Sequence, residues 1–203
     1  MSAVIYIHGK GGSAAEAEHY RQLFPSCEVT GLAYAGSVPW EAGKEIHEAV
    51  RKRKAGCGRM ILIASSIGAF FAMNADIERE ISRAFFISPI VDMEKLITDR
   101  MARFGVTESA LREKGVIHTD PGEDLSWKYL CYVREHPVHW NVPTDILYGS
   151  ADTLTTMETM AAFAQSHRAR LTIMEGGEHW FHTEGQMQFL DNWIRTSLPR
   201  KDG

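Results

Sequence analysis

Cysteine is scarce in this chain: Cys27, Cys57 and Cys131 are the only three among 203 residues, with no C-x-x-C spacing. An odd, scattered set excludes a disulfide framework and a zinc knuckle, and it points to a reducing compartment, with the cytoplasm as the expected location. Long apolar runs are missing too. No segment approaches the roughly 20 residues that span a bilayer, so no membrane segment is expected. The first strand-like run, 3–7, starts almost at Met1, so no export signal with its charged start, apolar core and cleavage site is expected. Positive charge is not in excess either. A formal net charge of −4 argues against a nucleic-acid surface, which draws on clustered cations. The one basic run, 51–54, closes a predicted helix, where cations complement the negative terminus. There is no internal repeat, low-complexity tract or linker. With 44% hydrophobic and 24% charged residues, the chain reads as one globular domain over 1–203 with a large core.

Short apolar runs at 4–7, 27–33, 60–64, 84–87, 144–148 and 170–174 read as buried strands. Helical spacing of apolar residues appears between them, most clearly at 40–54, 67–74, 155–166 and 183–197. Such alternation predicts an α/β fold, a parallel sheet with helices on both faces and right-handed crossovers. One connection is too long. About fifty residues, 92–142, separate two strands where a crossover needs only a dozen or more, so an inserted cap is expected there. Its Met93, Met101, Phe104, Trp127, Tyr129, Tyr132 and Trp140 are read as packing the insert against the body, with an apolar roof over a site as the alternative.

The stretch 60–73, MILIASSIGAFFAM, carries the chemistry. A run too short and too β-prone for a helix meets Ala64-Ser65-Ser66-Ile67-Gly68 and continues as a helical segment, so Ser66 falls on a sharp strand-to-helix bend that turns its side chain outward. Ala64 and Gly68, two residues to either side, are small enough for strand and helix to pass closely. A Ser-Ser pair shortly before a glycine, as in Ser65-Ser66-Ile67-Gly68, is also ordinary turn chemistry, and other residues must decide. Asp152 lies in a turn just beyond the strand at 144–148. His179 follows the last strand, after Gly176 and Gly177. Ser66, Asp152 and His179 thus each fall at the C-terminal end of a separate strand, where open parallel sheets place their sites.

The bend at Ser66 resembles the G-x-S-x-G nucleophile elbow of the α/β-hydrolase superfamily, with Ala64 in place of the first glycine, and the order Ser, Asp, His resembles that superfamily over nearly the whole chain. The resemblance implies a minimal six-stranded, mostly parallel sheet in the order 2-1-3-4-5-6, with a small cap insertion and no leading hairpin. It implies a serine hydrolase, carboxylesterase-like, acting on a small-molecule ester or thioester. Ser66 would be the nucleophile, His179 the base and Asp152 its orienting acid. Asp92, beyond the strand at 84–87, is the rival acid; its other reading is a helix N-cap. The oxyanion donors would be the N–H groups of Ile67 and Lys10, with Gly11 next, on the loop His8-Gly9-Lys10-Gly11-Gly12-Ser13. His8 is read as bracing that loop. No cofactor and no metal are expected.

Two other classes compete. Gly9-Lys10-Gly11-Gly12-Ser13-Ala14 satisfies G-x-G-x-x-[GA], and Glu28 lies near the spacing of a ribose-binding acid, as in a dinucleotide-dependent oxidoreductase. Glu28, however, falls near the start of its strand and not at the C-terminal end. The pairs His136/His139 and His179/His182 have H-x-x-H spacing but lack a completing ligand. A non-catalytic binding protein on the same fold is the third reading.

Overall fold

The structure is a computed structural model and describes residues 2–119 and 124–198. It divides into two compact units, Met1–Val91 with His139–Gly203, and Asp92–Val138.

The first unit is built on β1 (Ser2–Ile7), β2 (Cys27–Leu32), β3 (Arg59–Ser65), β4 (Arg83–Ile87), β7 (Thr144–Gly149) and β8 (Arg170–Met174). These are the six runs anticipated from apolar clustering. They form one sheet in the order β2-β1-β3-β4-β7-β8, and every neighbouring pair is parallel. Counting only these strands, the order is 2-1-3-4-5-6. The two remaining strands lie in the second unit and were not expected. Nearly every residue of β1, β3, β4 and β7 is buried, as a sheet covered on both faces requires.

Strand alternation sends Val4, Tyr6, Ile61, Ile63, Phe85 and Leu147 into one core layer. There they meet Ala17 and Tyr20 of a short helix α1 (Ala17–Tyr20) and Leu190, Trp193 and Ile194 of α8 (Glu184–Ser197). A 3-10 turn on either side of α1 completes the β1–β2 connection, which sequence periodicity did not reveal. The helices α2 (Pro39–Lys54) and α3 (Ile67–Met73) pack on each other, and α7 (Met157–Ser166) packs on β8. At the strand starts, Asp145 is 2% exposed and accepts hydrogen bonds from Arg83 and Arg170, fastening β4, β7 and β8 together.

The second unit holds α4 (Met93–Arg103), α5 (Glu108–Lys114), a two-stranded antiparallel ladder of β5 (Val116–Ile117) and β6 (Leu125–Ser126), and α6 (Trp127–Glu135). Arg134 of α6 binds Glu94 of α4 and Glu108 of α5, tying the three helices. Trp140, grouped with the insertion on sequence, belongs to the first unit. It is 1% exposed, packs on Phe86 of β4 and donates from Nε1 to Thr144 Oγ1 at 2.8 Å, so the chain is back in the sheet's core before β7 begins. None of the three cysteines is disulfide-bonded. Among the described residues no helix is long and apolar enough to cross a membrane.

Candidate active site

Because β2 lies outside β1 while β3 lies on β1's other side, winding reverses between β1 and β3, and their C-terminal ends frame a crevice. Ser66 sits on the bend between β3 and α3 with φ 53 and ψ −126, a conformation that L-residues rarely adopt. The surroundings hold it there: Ser66 N donates to Ile87 O at 2.9 Å, and Ser66 O accepts from Ile90 N at 3.1 Å. Gly68 is obligatory at this crossing. A Cβ there would stand 2.3 Å from His8 O and 2.9 Å from Ile7 O, both backbone atoms that cannot rotate away. Ala64, in place of the expected first glycine, is fully buried in β3.

Asp152 is carried by the turn after β7, its N–H closing on Gly149 O at 3.0 Å. Its carboxylate is fully buried yet satisfied. Oδ1 accepts from Leu154 N at 2.8 Å and from Thr155 N at 3.3 Å, and Oδ2 faces His179 Nδ1 at 2.7 Å. The loop bearing His179 is stitched to the same turn. Ala151 N donates to Gly177 O at 2.9 Å, and Gly176 N donates to Ser150 Oγ at 2.8 Å. A Cβ on Gly149 would meet Gly177 O at 2.2 Å, so the two turns touch only because that residue is glycine. Beyond His179, Gln186 reaches back from α8 to accept from His182 N and to donate to Glu178, fixing the far side of the loop.

The outcome is a linear array. His179 Nε2 lies 2.8 Å from Ser66 Oγ, and Nδ1 lies 2.7 Å from Asp152 Oδ2. An ionised carboxylate only accepts, so Nδ1 carries the proton and donates to Asp152, which leaves the Nε2 lone pair to accept from the Ser66 hydroxyl. Ser66, Asp152 and His179, far apart in sequence, are therefore brought together. Asp92 is not the acid on His179: it caps α4, its Oδ1 accepting from Lys95 N at 2.8 Å.

The loop after β1 lies against the elbow. A Cβ on Gly9 would come 3.0 Å from Ser66 Cβ and 3.7 Å from its Oγ. Lys10 and Gly11 form the tip of the turn, closed by Gly12 N donating to Gly9 O at 3.1 Å, with Gly11 at φ +76. Ile67 is the first residue of α3, directly after Ser66. His8 Nδ1 donates to Gly9 O at 2.8 Å. Tyr34, which the sequence reading did not single out, stacks on the His8 ring and donates to His8 O.

The dinucleotide alternative loses its acid. Glu28 sits at the second position of β2, opposite Ala3 near the start of β1, and its carboxylate binds Arg53 at 2.5 Å. That is the end of the sheet away from the glycine-rich loop, and the helix which follows that loop is only four residues long. Of the histidine pairs, His182 donates from Nδ1 to Trp180 O and His136 donates to Tyr132 O. Among the described residues no cluster of His, Cys, Asp or Glu is arranged to hold a metal ion.

No protein-family model and no curated protein matches the sequence. Solved structures do resemble it. Est1E from Butyrivibrio proteoclasticus is 15% identical with a TM-score of 0.74, over 96% of this chain and 85% of that one. Alpha/beta hydrolase domain-containing protein 10 from mouse is 17% identical with a TM-score of 0.72, over 96% and 88%. A lipase-esterase related protein from Clostridium acetobutylicum is 11% identical with a TM-score of 0.64, over 97% and 94%. Strand order, winding reversal and these likenesses agree that the chain has the α/β-hydrolase fold.

Proposed function

We propose that the chain is a serine hydrolase cleaving a carboxylic ester or thioester of a small molecule through an acyl-enzyme. One observation carries the reading: Ser66 Oγ, the His179 ring and Asp152 Oδ2 stand in series at 2.8 and 2.7 Å. In the first half-reaction Ser66 Oγ bonds to the substrate carbonyl carbon while its proton passes to His179 Nε2. The imidazolium then protonates the leaving alcohol or thiol as its bond to carbon breaks. A water molecule, deprotonated by the same Nε2, releases the acid and restores Ser66. Asp152 stays ionised throughout, holding the ring's tautomer and stabilising its positive charge. The N–H groups of Ile67 and Lys10, with Gly11 as second choice, bind the oxyanion, a contribution of about 3–4 kcal/mol for one such donor.

The reading takes the whole chain as one hydrolase domain with an insertion. It needs no metal or organic cofactor, and it involves neither nucleic acid nor membrane. Three cysteines with no disulfide among them suit a cytoplasmic setting. Short and medium acyl groups are the preferred substrates. A fluorophosphonate should label Ser66 covalently, and a series of nitrophenyl esters graded by acyl length should be turned over, with Ser66→Ala as the blank. Loss of Ser66 should lower turnover on the order of a million-fold. An unlabelled Ser66 in folded protein would favour a binding module without chemistry.

A further inference from the structure

We propose that Tyr34 is a positioning residue for the oxyanion loop: by gripping His8 through both ring and carbonyl, it fixes the plane of the peptide that joins Gly9 to Lys10. The inference rests on the acyl-transfer reading and assigns a residue to it that carries no motif.

A peptide unit is planar and trans, so its C=O and N–H point in opposite directions, and whatever orients the oxygen also orients the hydrogen. The Gly9 carbonyl has two donors, His8 Nδ1 at 2.8 Å and Gly12 N at 3.1 Å. Those two bonds set the direction of Lys10 N–H. Gly12 N is held by the turn itself, but the His8 ring sits on a side chain with two rotatable bonds and needs its own support. Tyr34 supplies it. The two rings stack with centroids 4.4 Å apart and planes 15° from parallel, and Tyr34 Oη donates to His8 O at 2.7 Å.

The support is itself anchored. The Tyr34 ring meets Phe71 of α3 edge-on at 5.8 Å, which ties the oxyanion loop to the helix that starts at the nucleophile. His8 O also abuts the position where Gly68 has no side chain, so a shift of His8 would be felt at the elbow. Burial, reinforced by the Glu16 and Glu45 carboxylates, pushes the Tyr34 hydroxyl up to about 12, so it remains a donor at any pH at which an esterase would be assayed.

Tyr34→Phe removes the bond to His8 O and keeps the stack, whereas Tyr34→Ala removes both. Each variant is titrated with a fluorophosphonate to count competent sites, and then kcat and KM are measured per titrated site on para-nitrophenyl butyrate, alongside the melting temperature. We expect kcat to fall about tenfold for Tyr34→Phe and about a hundredfold for Tyr34→Ala, with KM within twofold of the parent, because a mis-aimed oxyanion donor forfeits part of its 10²–10³-fold worth without touching ground-state binding. Affinity for a trifluoromethyl ketone, which mimics the oxyanion, should fall by the same factors. Variants that melt lower but keep the parent's kcat per titrated site would show a merely structural residue and overturn the proposal. If the parent protein itself takes no label at Ser66, both this inference and the hydrolase reading fall; if it labels and Tyr34→Phe is unchanged, only this inference does.

Discussion

Replacing Ser66 by alanine and, separately, by glycine should give two inactive proteins of unequal stability, the glycine variant being the more stable. Both changes delete the hydroxyl and its bond to His179, so the difference between them isolates the cost of a Cβ at φ 53 and ψ −126. Holding a non-glycine residue in so sparsely populated a region costs of order 1–3 kcal/mol. Glycine is relieved of that strain but gives back roughly 0.4–1 kcal/mol through the greater freedom of its unfolded chain. The balance favours glycine by about 0.5–2 kcal/mol. At roughly 2–4 °C per kcal/mol for a chain of this length, Ser66→Gly should melt about 1–8 °C above Ser66→Ala. Thermal unfolding followed by circular dichroism measures the difference, and an ester assay checks that neither variant turns over. A glycine variant melting at or below the alanine variant would refute the argument that the bend stores strain in order to present the Ser66 side chain.

Three further outcomes follow from the same geometry. Asp152→Asn should fold with a near-parental melting temperature but lose about 10⁴-fold in kcat, because an amide in place of Oδ2 no longer enforces the tautomer with Nδ1 protonated. Gly68→Ala drives a methyl to within 2.3 Å of His8 O, and urea unfolding should show a loss of about 3 kcal/mol, at the top of the overpacking range, with turnover falling more than tenfold as the oxyanion loop is displaced. Ser88→Gly should stabilise by about 1 kcal/mol in the same urea assay: Ser88 has φ 42 and a fully buried hydroxyl with no hydrogen-bond partner among the described residues, two costs that outweigh glycine's chain entropy.

The fold was legible wherever one physical constraint dominates a segment. The four inner strands β1, β3, β4 and β7 are buried on both faces, which forces a short, nearly continuous apolar run, and with the runs of the less covered edge strands β2 and β8 all six are visible without any structure. The connection between β1 and β2 escaped because α1 spans a single turn between two 3-10 turns, so Ala17, Tyr20, Leu23 and Phe24 reach one core layer without sustained helical periodicity. The ladder of β5 and β6 pairs two residues with two, too few for alternation to register. Trp140 was assigned to the insertion by proximity in sequence, and only its packing on Phe86 and its bond to Thr144 place it in the core of the first unit.

The candidate site divides along a similar line. A parallel sheet brings its strand ends to one edge, so a serine, an acid and a histidine at three such ends meet by topology alone, and their order along the chain suffices to suggest it. Choosing between Asp92 and Asp152 needs finer information. Both follow strands and both accept backbone N–H groups, but at Asp152 the capping falls on Oδ1 and leaves Oδ2 for His179. Tyr34 lies further from sequence-level reach, since its contribution consists of a ring plane and one carbonyl oxygen, neither of which has a characteristic spacing. What the chain does encode for that contact is indirect: glycine at position 68 lets the His8 carbonyl come close to α3, which begins directly after Ser66, and the same closeness leaves a fixed target for the tyrosine hydroxyl. A side chain that acts by orienting a peptide bond is therefore invisible to motif reading and becomes apparent only when the direction of each backbone N–H is traced to whatever holds its carbonyl.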